Sequence, residues 1–302
     1  MSSYIGRFAP SPTGPLHFGS LIAAVGSYLQ ARHQQGQWLL RMEDVDQPRC
    51  SEVAAAQILY TLEGYGFEWD GEVVYQSQRD SIYREFVETL RQHEHLYVCD
   101  CSRREIEQRI TTEQLTPGIY PGTCRIRYRP DRPQTALRLR VEAGETGFVD
   151  AIQGPLSQQL QQQVGDFVLR RADGLYAYQL AVVVDDALQG ITEVVRGCDL
   201  LDNTPRQIYL QGLLDLPTPG YAHLPIVVNR DGQKLSKQTY APALALSRPQ
   251  QSLYKVLQFL GQQPPAELTD ARLTELWSWA TDNWQLSRVP RITKQPEIAA
   301  SS

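Results

Sequence analysis

The stretch RFAPSPTGPLHFGS, Arg7 to Ser20, holds three prolines, two glycines, one histidine and no acid. Small and cyclic residues let a ligand come close to the backbone. A turn that follows a parallel strand and opens a helix is a ready anion site. His17 is a donor there that can reach a phosphate oxygen. The spacing is neither G-x-x-x-x-G-K-[ST] nor G-x-G-x-x-G. Taken alone, it reads more simply as a tight turn with a satisfied surface histidine. Far along the chain, KLSK (Lys234 to Lys237) follows the apolar run LPIVVN. Two lysines flanking a serine can neutralise a triphosphate, although lysine pairs in loops are usually just solvated. The pairing is what informs: a histidine turn early and a lysine loop late. Both fall at carboxyl ends of strands, where α/β sheets bind ligands.

A second cluster lies in CDCSRREIEQRITTEQLTPGIYPGTC, with Cys99, Cys101 and Cys124 in an Arg- and Pro-rich segment. Three such thiols suggest zinc, which favours tetrahedral Cys/His sites. No fourth cysteine or histidine lies inside the segment. Tyr120, His93 and His95 compete for the remaining position, and three free thiols are the plainer alternative. Arg125, Arg127, Arg129, Arg132, Arg138 and Arg140 crowd together just beyond. Such a run is usually a solvated face; it is also the best local candidate for RNA phosphate contacts.

These residues need elements to carry them. YIGRFAP reads as a strand, and GSLIAAVGSYLQARHQQG as a helix with Leu21, Ile22, Val25, Tyr28 and Leu29 on one face, closed by Gly36. QWLLRMED is the next strand, so a βαβ unit and a parallel sheet are expected. SEVAAAQILYTLEGYG is a helix with Ser51 as N-cap, and RDSIYREFVETLRQHEH another. From Tyr97 to about Thr146 the texture of Cys, Arg, Gly, Pro and short extended pieces suggests an insertion between two halves of an α/β domain. LSQQLQQQVGD reads as a solvated turn or surface strand. Asp173-Gly174 marks a hairpin turn, TPRQIYLQGLLDL a helix with Pro205 in its first turn, and the segments after Leu253 a helical tail.

The 302 residues suggest about two domains of ~150 residues each. A net charge of −5 gives no global sign of a polyanion partner, so any RNA contact must be local. Five unevenly spaced cysteines fit a secreted disulfide framework poorly. No signal peptide or membrane-length apolar run is visible, so a cytoplasmic protein is expected.

RFAPSPTGPLHFG with KLSK resembles the class I glutamyl-tRNA synthetases. HFGS stands where that family carries its HIGH signature and KLSKQ where it carries KMSKS. RMEDVDQPR and VVRGCDLLDNTPRQ are similar too, so the likeness covers most of residues 4 to 240. It implies an α/β fold: a Rossmann-type parallel sheet with an inserted zinc-containing subdomain and a helical C-terminal part. The implied layout is 1–98 for the first half of the catalytic domain and 99–146 for the insertion. The second half follows at 147–240, and 241–302 is a stem-contact-like region, with no anticodon-binding domain. That shortened layout resembles the truncated branch of the family, which attaches glutamate to queuosine in the anticodon of tRNA(Asp). Two other readings stay open: a short enzyme charging the tRNA 3′ end, and a catalytically silent tRNA- or nucleotide-binding module.

The resemblance also assigns roles. His17, Lys234 and Lys237 would be catalytic. Arg7, Ala9, Ser11, Glu43, Tyr178 and Arg196 would bind L-glutamate; structural ion pairs are the alternative for Arg7, Glu43 and Arg196. His17, Gly19, Ser20, Asp199 and Lys237 would bind ATP, with Mg2+. The family's C-x-C…Y-x-x-x-C arrangement makes Cys99, Cys101, Tyr120 and Cys124 the ligands of one Zn2+. A monomer is the family expectation.

Overall fold

The computed structural model describes residues 3–126, 134–229, 232, 234 and 242–296. Strand β1 (Ile5–Phe8) leads through the proline-rich turn into α1 (Phe18–His33), and β2 (Gln37–Met42) returns parallel to β1. The left-handed residue that ends α1 is Gln35, at φ 53°, rather than Gly36. Gly36 is needed for a different reason: a Cβ there would run into the backbone and ring of Tyr4. Next come α2 (Glu52–Gly64), capped by the Ser51 hydroxyl, then β3 (Val74–Tyr75) and α3 (Asp80–Gln92).

The cysteine-bearing segment runs from β4 (Leu96–Cys99) through α4 (Arg103–Thr112) and α5 (Thr123–Ile126) to β5 (Ala136–Leu139). Helix α4 is an element that texture alone hid, yet its start is a reciprocal Ser102/Glu105 capping box. The hairpin β6 (Thr146–Asp150) and β7 (Gly154–Gln158) precedes a short α6 (Leu160–Gln163) that buries Leu160. After β8 (Val168–Arg170), the apolar run with two adjacent aspartates forms α7 (Tyr178–Leu188). The rest is β9 (Glu193–Gly197), α8 (Thr204–Leu213), β10 (Gly220–Leu224), β11 (Ile226–Val228), α9 (Pro249–Phe259), α10 (Leu273–Asn283) and β12 (Lys294–Pro296).

Parallel strands β1, β2 and β3 form one group, and β9, β10 and β6 another with β7 antiparallel at its edge. The groups meet where Thr192 N donates to Ile5 O at 2.9 Å, setting β1 beside β9. Ligands bind at such a junction of chain-distant parallel strands. A separate antiparallel sheet, β4-β5-β8, carries the cysteine segment.

Helix α1 is packed on nearly every side because it lies between the sheet and the C-terminal helices. A Cβ on Gly26 would come within 2.5 Å of Leu224 Cδ1, so β10 rests directly on the α1 backbone. Trp38 stacks with Phe8 and Phe67, and Tyr28 meets Trp38 edge-on at 5.1 Å. Trp277 of α10 joins this cluster against Tyr28 and Phe67, donating its indole N–H to Tyr65 O at 2.8 Å. Each such buried side chain contributes about 1.5–3 kcal/mol. The helical tail is therefore part of the parallel sheet's foundation.

Candidate active site

A cleft of about 720 Å3 opens where β1 and β9 end and α1 begins. Arg7, Ala9, Ser11, Glu43, Tyr178 and Arg196 all line it. So do His17, Gly19, Ser20, Asp199 and Lys234. Residues spread over most of the chain thus share one cavity. Lys237 lies outside the described residues.

One end of the cleft is a lattice of buried charges. Arg7 pairs with Asp186 through Nε–Oδ1 at 3.1 Å and Nη2–Oδ2 at 3.3 Å. Arg41 Nη2 reaches the same Oδ1 at 2.8 Å and Glu43 Oε1 at 3.4 Å. Burial would push the Asp186 carboxyl up, but Arg7 and Arg41 together hold it below the usual range. Glu43 goes the other way, since burial outweighs the same two guanidinium groups and raises its carboxyl. Burial and the Glu43 charge push the Tyr178 phenol up to about 12, so it stays a neutral donor at neutral pH.

Arg196 sits differently. Its Nε donates to His223 Nε2 at 3.0 Å, and its Nη2 donates to Thr204 Oγ1 and Gln207 Oε1, both at 2.8 Å. None of these partners carries a negative charge. Its Nη1 is buried with no hydrogen-bond partner among the described residues. A buried, unneutralised guanidinium edge is costly alone and becomes favourable when an anion pairs with it.

At the other end, His17 caps α1. Its Nδ1 accepts from Ser20 N at 3.3 Å, which puts the ring proton on Nε2 as a donor. Lys234 pairs with Asp199 at 2.6 Å. A helix N-terminus, an imidazole N–H and a lysine in one cleft are donors suited to a phosphate chain.

The cysteine cluster stands apart from the cleft, in its own small core with Tyr97 and Tyr120. The Cys99, Cys101 and Cys124 sulfurs all lie within 4.8 Å of one another. Tyr120 Oη is 3.3 Å from Cys99 Sγ and 3.6 Å from Cys101 Sγ, and Cys101 and Cys124 sulfurs are 3.4 Å apart. Ligands at about 2.0–2.3 Å from a tetrahedral centre are separated by roughly 3.3–3.8 Å, so these donors fit zinc. Although burial raises it, the Cys99 thiol is drawn down by hydrogen bonds from Tyr120 and Arg138, while burial pushes Cys124 up to about 12. His93 and His95 are not in the cluster; they pack against each other.

Three of the neighbouring arginines have partners within the fold. Arg125 chelates the buried Asp166, Arg138 covers the Tyr120 ring at 3.8 Å, and Arg140 covers Tyr97 at 5.0 Å. They lock the cysteine segment onto its sheet. Arg127, Arg129 and Arg132 lie outside the described residues.

Residues 5–245 match the sequence model of the family described as tRNA synthetases class I (E and Q), catalytic domain. The chain belongs to that family. It is a ligase of the aminoacyl-tRNA synthetase type. The synthetase is 57% identical to the glutamyl-Q tRNA(Asp) synthetase of Dechloromonas aromatica over 96% of this chain and 97% of the relative. With the protein of the same name from Aromatoleum aromaticum it shares 54% identity over 95% and 91%. The crystal structure of glutamate-tRNA synthetase from Elizabethkingia anophelis superposes with a TM-score of 0.79 at 25% identity, covering 96% of this chain and 67% of that one. No helix among the described residues is long and apolar enough to cross a membrane.

Four residues of the synthetase's site escaped the sequence reading: Arg41, Asp150, Asp186 and His223. The signal for Asp186 was present, since adjacent acids in the apolar helix VVVDDAL must find buried partners. Asp185 finds Gln76, Arg79 and Tyr83, while Asp186 finds the two arginines of the cleft.

Proposed function

We propose that this synthetase uses ATP to activate L-glutamate and transfers it to the queuosine base in the anticodon of tRNA(Asp). The relatives named above support the acceptor. The observation that carries glutamate is the unpartnered guanidinium nitrogen Nη1 of Arg196, a residue that lines the same cleft as the buried acid Glu43. Together they offer one seat for a carboxylate and one for an ammonium.

In this reading Arg7 and Arg196 hold the carboxylates and Glu43 accepts the ammonium. Ser11, Tyr178 and the backbone at Ala9 complete the pocket. His17, Gly19 and Ser20 hold the phosphates and Asp199 the nucleoside side. A glutamate carboxylate oxygen attacks the α-phosphorus, and the bond to pyrophosphate breaks. Lys234 and Lys237 stabilise the charge that leaves; Mg2+ carried in with ATP would add charge neutralisation at the phosphates. A hydroxyl of the cyclopentene diol then attacks the adenylate carbonyl; AMP departs and the hydroxyl proton passes to solvent. Catalysis is positioning and charge stabilisation. Residues 99–146 serve as an insertion that Cys99, Cys101, Tyr120 and Cys124 would pin around Zn2+, and 241–302 as a stem-contact region.

A site built around a substrate hydroxyl strongly rejects an analogue lacking it. Labelled glutamate should therefore pass to queuosine-containing tRNA(Asp) and not to the same tRNA with guanine in that position. Removing the 3′-terminal adenosine should not abolish transfer, whereas periodate oxidation of the diol should. Transfer to queuosine-free tRNA that requires the terminal adenosine would overturn this acceptor.

A further inference from the structure

We infer that His223, locked in its Nδ1–H tautomer by Asp150, is the positioning residue that aims Arg196 at the substrate carboxylate. This deepens the glutamate reading and rests on it.

His223 is fully buried on β10, with its ring between two charged side chains. Its Nδ1 is 2.6 Å from Asp150 Oδ2, and its Nε2 is 3.0 Å from Arg196 Nε. A guanidinium Nε can only donate. The imidazole Nε2 must therefore be the acceptor, and the ring proton must sit on Nδ1, where Asp150 receives it. The aspartate has no freedom to do otherwise. Its second oxygen, Oδ1, accepts three backbone N–H groups: Ile152 at 3.0 Å, Gln153 at 2.8 Å and His223 itself at 3.1 Å. The ring is further fixed by stacking on Tyr221, with Phe148 against its edge. Thr204 Oγ1 stands 3.2 Å from the same Nε2.

The chemistry explains why a neutral histidine holds this arginine where an acid holds Arg7. A carboxylate at His223's place would fix Arg196 equally well, but it would also neutralise the guanidinium. The imidazole supplies an acceptor without a charge. With Thr204 and Gln207 on Nη2, it fixes the plane of Arg196, a residue that lines the cleft, and leaves its guanidinium charge unneutralised and its buried Nη1 without a hydrogen-bond partner among the described residues. Burial holds His223 below its ordinary value, which keeps the ring neutral at physiological pH.

Asp150→Asn tests the relay at nearly constant shape. The three backbone donors at Oδ1 require an acceptor, so the amide oxygen takes that place and the NH2 turns toward His223 Nδ1. The ring must then carry its proton on Nε2, where it confronts the Arg196 N–H. Side-chain 15N NMR of His223 should report Nδ1 protonation in the wild type and Nε2 protonation in the variant. In glutamate-dependent ATP–pyrophosphate exchange, the KM for glutamate should rise about tenfold or more while the KM for ATP stays within about twofold. His223→Gln, whose amide oxygen can stand near the Nε2 position, should recover much of the glutamate affinity that His223→Leu loses. A switched tautomer with an unchanged glutamate KM would overturn the relay. So would a parallel rise in both KM values with a lowered melting temperature, which would make the pair merely structural. A wild-type protein that gives no glutamate-dependent exchange would overturn the functional reading, and with it the role of Arg196, whatever the tautomer.

Discussion

In the cleft, Asp186 lies between two guanidinium groups, and Glu43 leans on one of them. In the cysteine cluster, three sulfurs and a phenol oxygen converge, and every one of them is electron-rich. The first arrangement balances its charges within the fold. The second is a set of like donors whose natural complement is a cation. The cleft should therefore keep its shape when its substrates change, and its weak points are single charged residues. The cluster's weak point is its unbalanced set of donors.

Four substitutions probe that contrast. Asp186→Ala strikes the cleft's keystone. It strips Arg7 and Arg41 of a shared buried partner and should cost about 3–5 kcal/mol. Urea or thermal unfolding would measure this, and a loss under 1 kcal/mol would show that the lattice is not self-supporting. Arg196→Ala should leave the fold standing, because its partners are neutral. Glutamate activation should fall roughly a hundredfold or more with ATP affinity nearly intact. If the glutamate dependence barely moves, Arg196 is structural and the pocket lies elsewhere.

Cys101→Ser tests the cluster. The wild type should carry about one zinc per chain. Losing a ligand should weaken the metal by at least the ~10–100-fold that losing an outer partner costs. Elemental analysis after dialysis against a chelator decides this; full metal content in the variant would remove Cys101 from the site. The smallest effect is the least intuitive. Burial raises the Glu43 carboxyl, so the fold prefers it protonated. The wild type then loses stability as pH climbs from the unfolded carboxyl's range through the folded value. Glu43→Gln should abolish that loss, raising stability at pH 7 by roughly 0.5–2 kcal/mol while impairing the seat for the ammonium. Equal stability differences at pH 4 and pH 7 would refute the linkage.

The local parts of this molecule were legible in its sequence. Apolar spacing marked β1, α1, β2 and the C-terminal helices, and the turn before α1 marked one part of the cleft's lining. The cysteine spacing marked three sulfurs that converge, with Tyr120 added by resemblance. What stayed hidden were pairings across the chain. Arg7 and Asp186 are 179 residues apart, and Asp150 and His223 are 73 apart. Neither spacing nor composition carries that information, because the sheet topology alone brings such residues together. The partners of Arg125, Arg138 and Arg140 were hidden for a related reason. Charge density says that cations are present, but a buried acid such as Asp166 and the faces of Tyr97 and Tyr120 decide where they point.

Strand β11, which precedes KLSK in the sequence, pairs in parallel with β12, the last strand among the described residues. During synthesis at roughly 5–20 residues per second, β11 must wait on the order of several seconds for that partner to be made. The histidine turn, the acid lattice and the Arg196 cradle can all assemble earlier from segments already translated. The β11–β12 pair therefore closes only after every cleft residue described above has been translated.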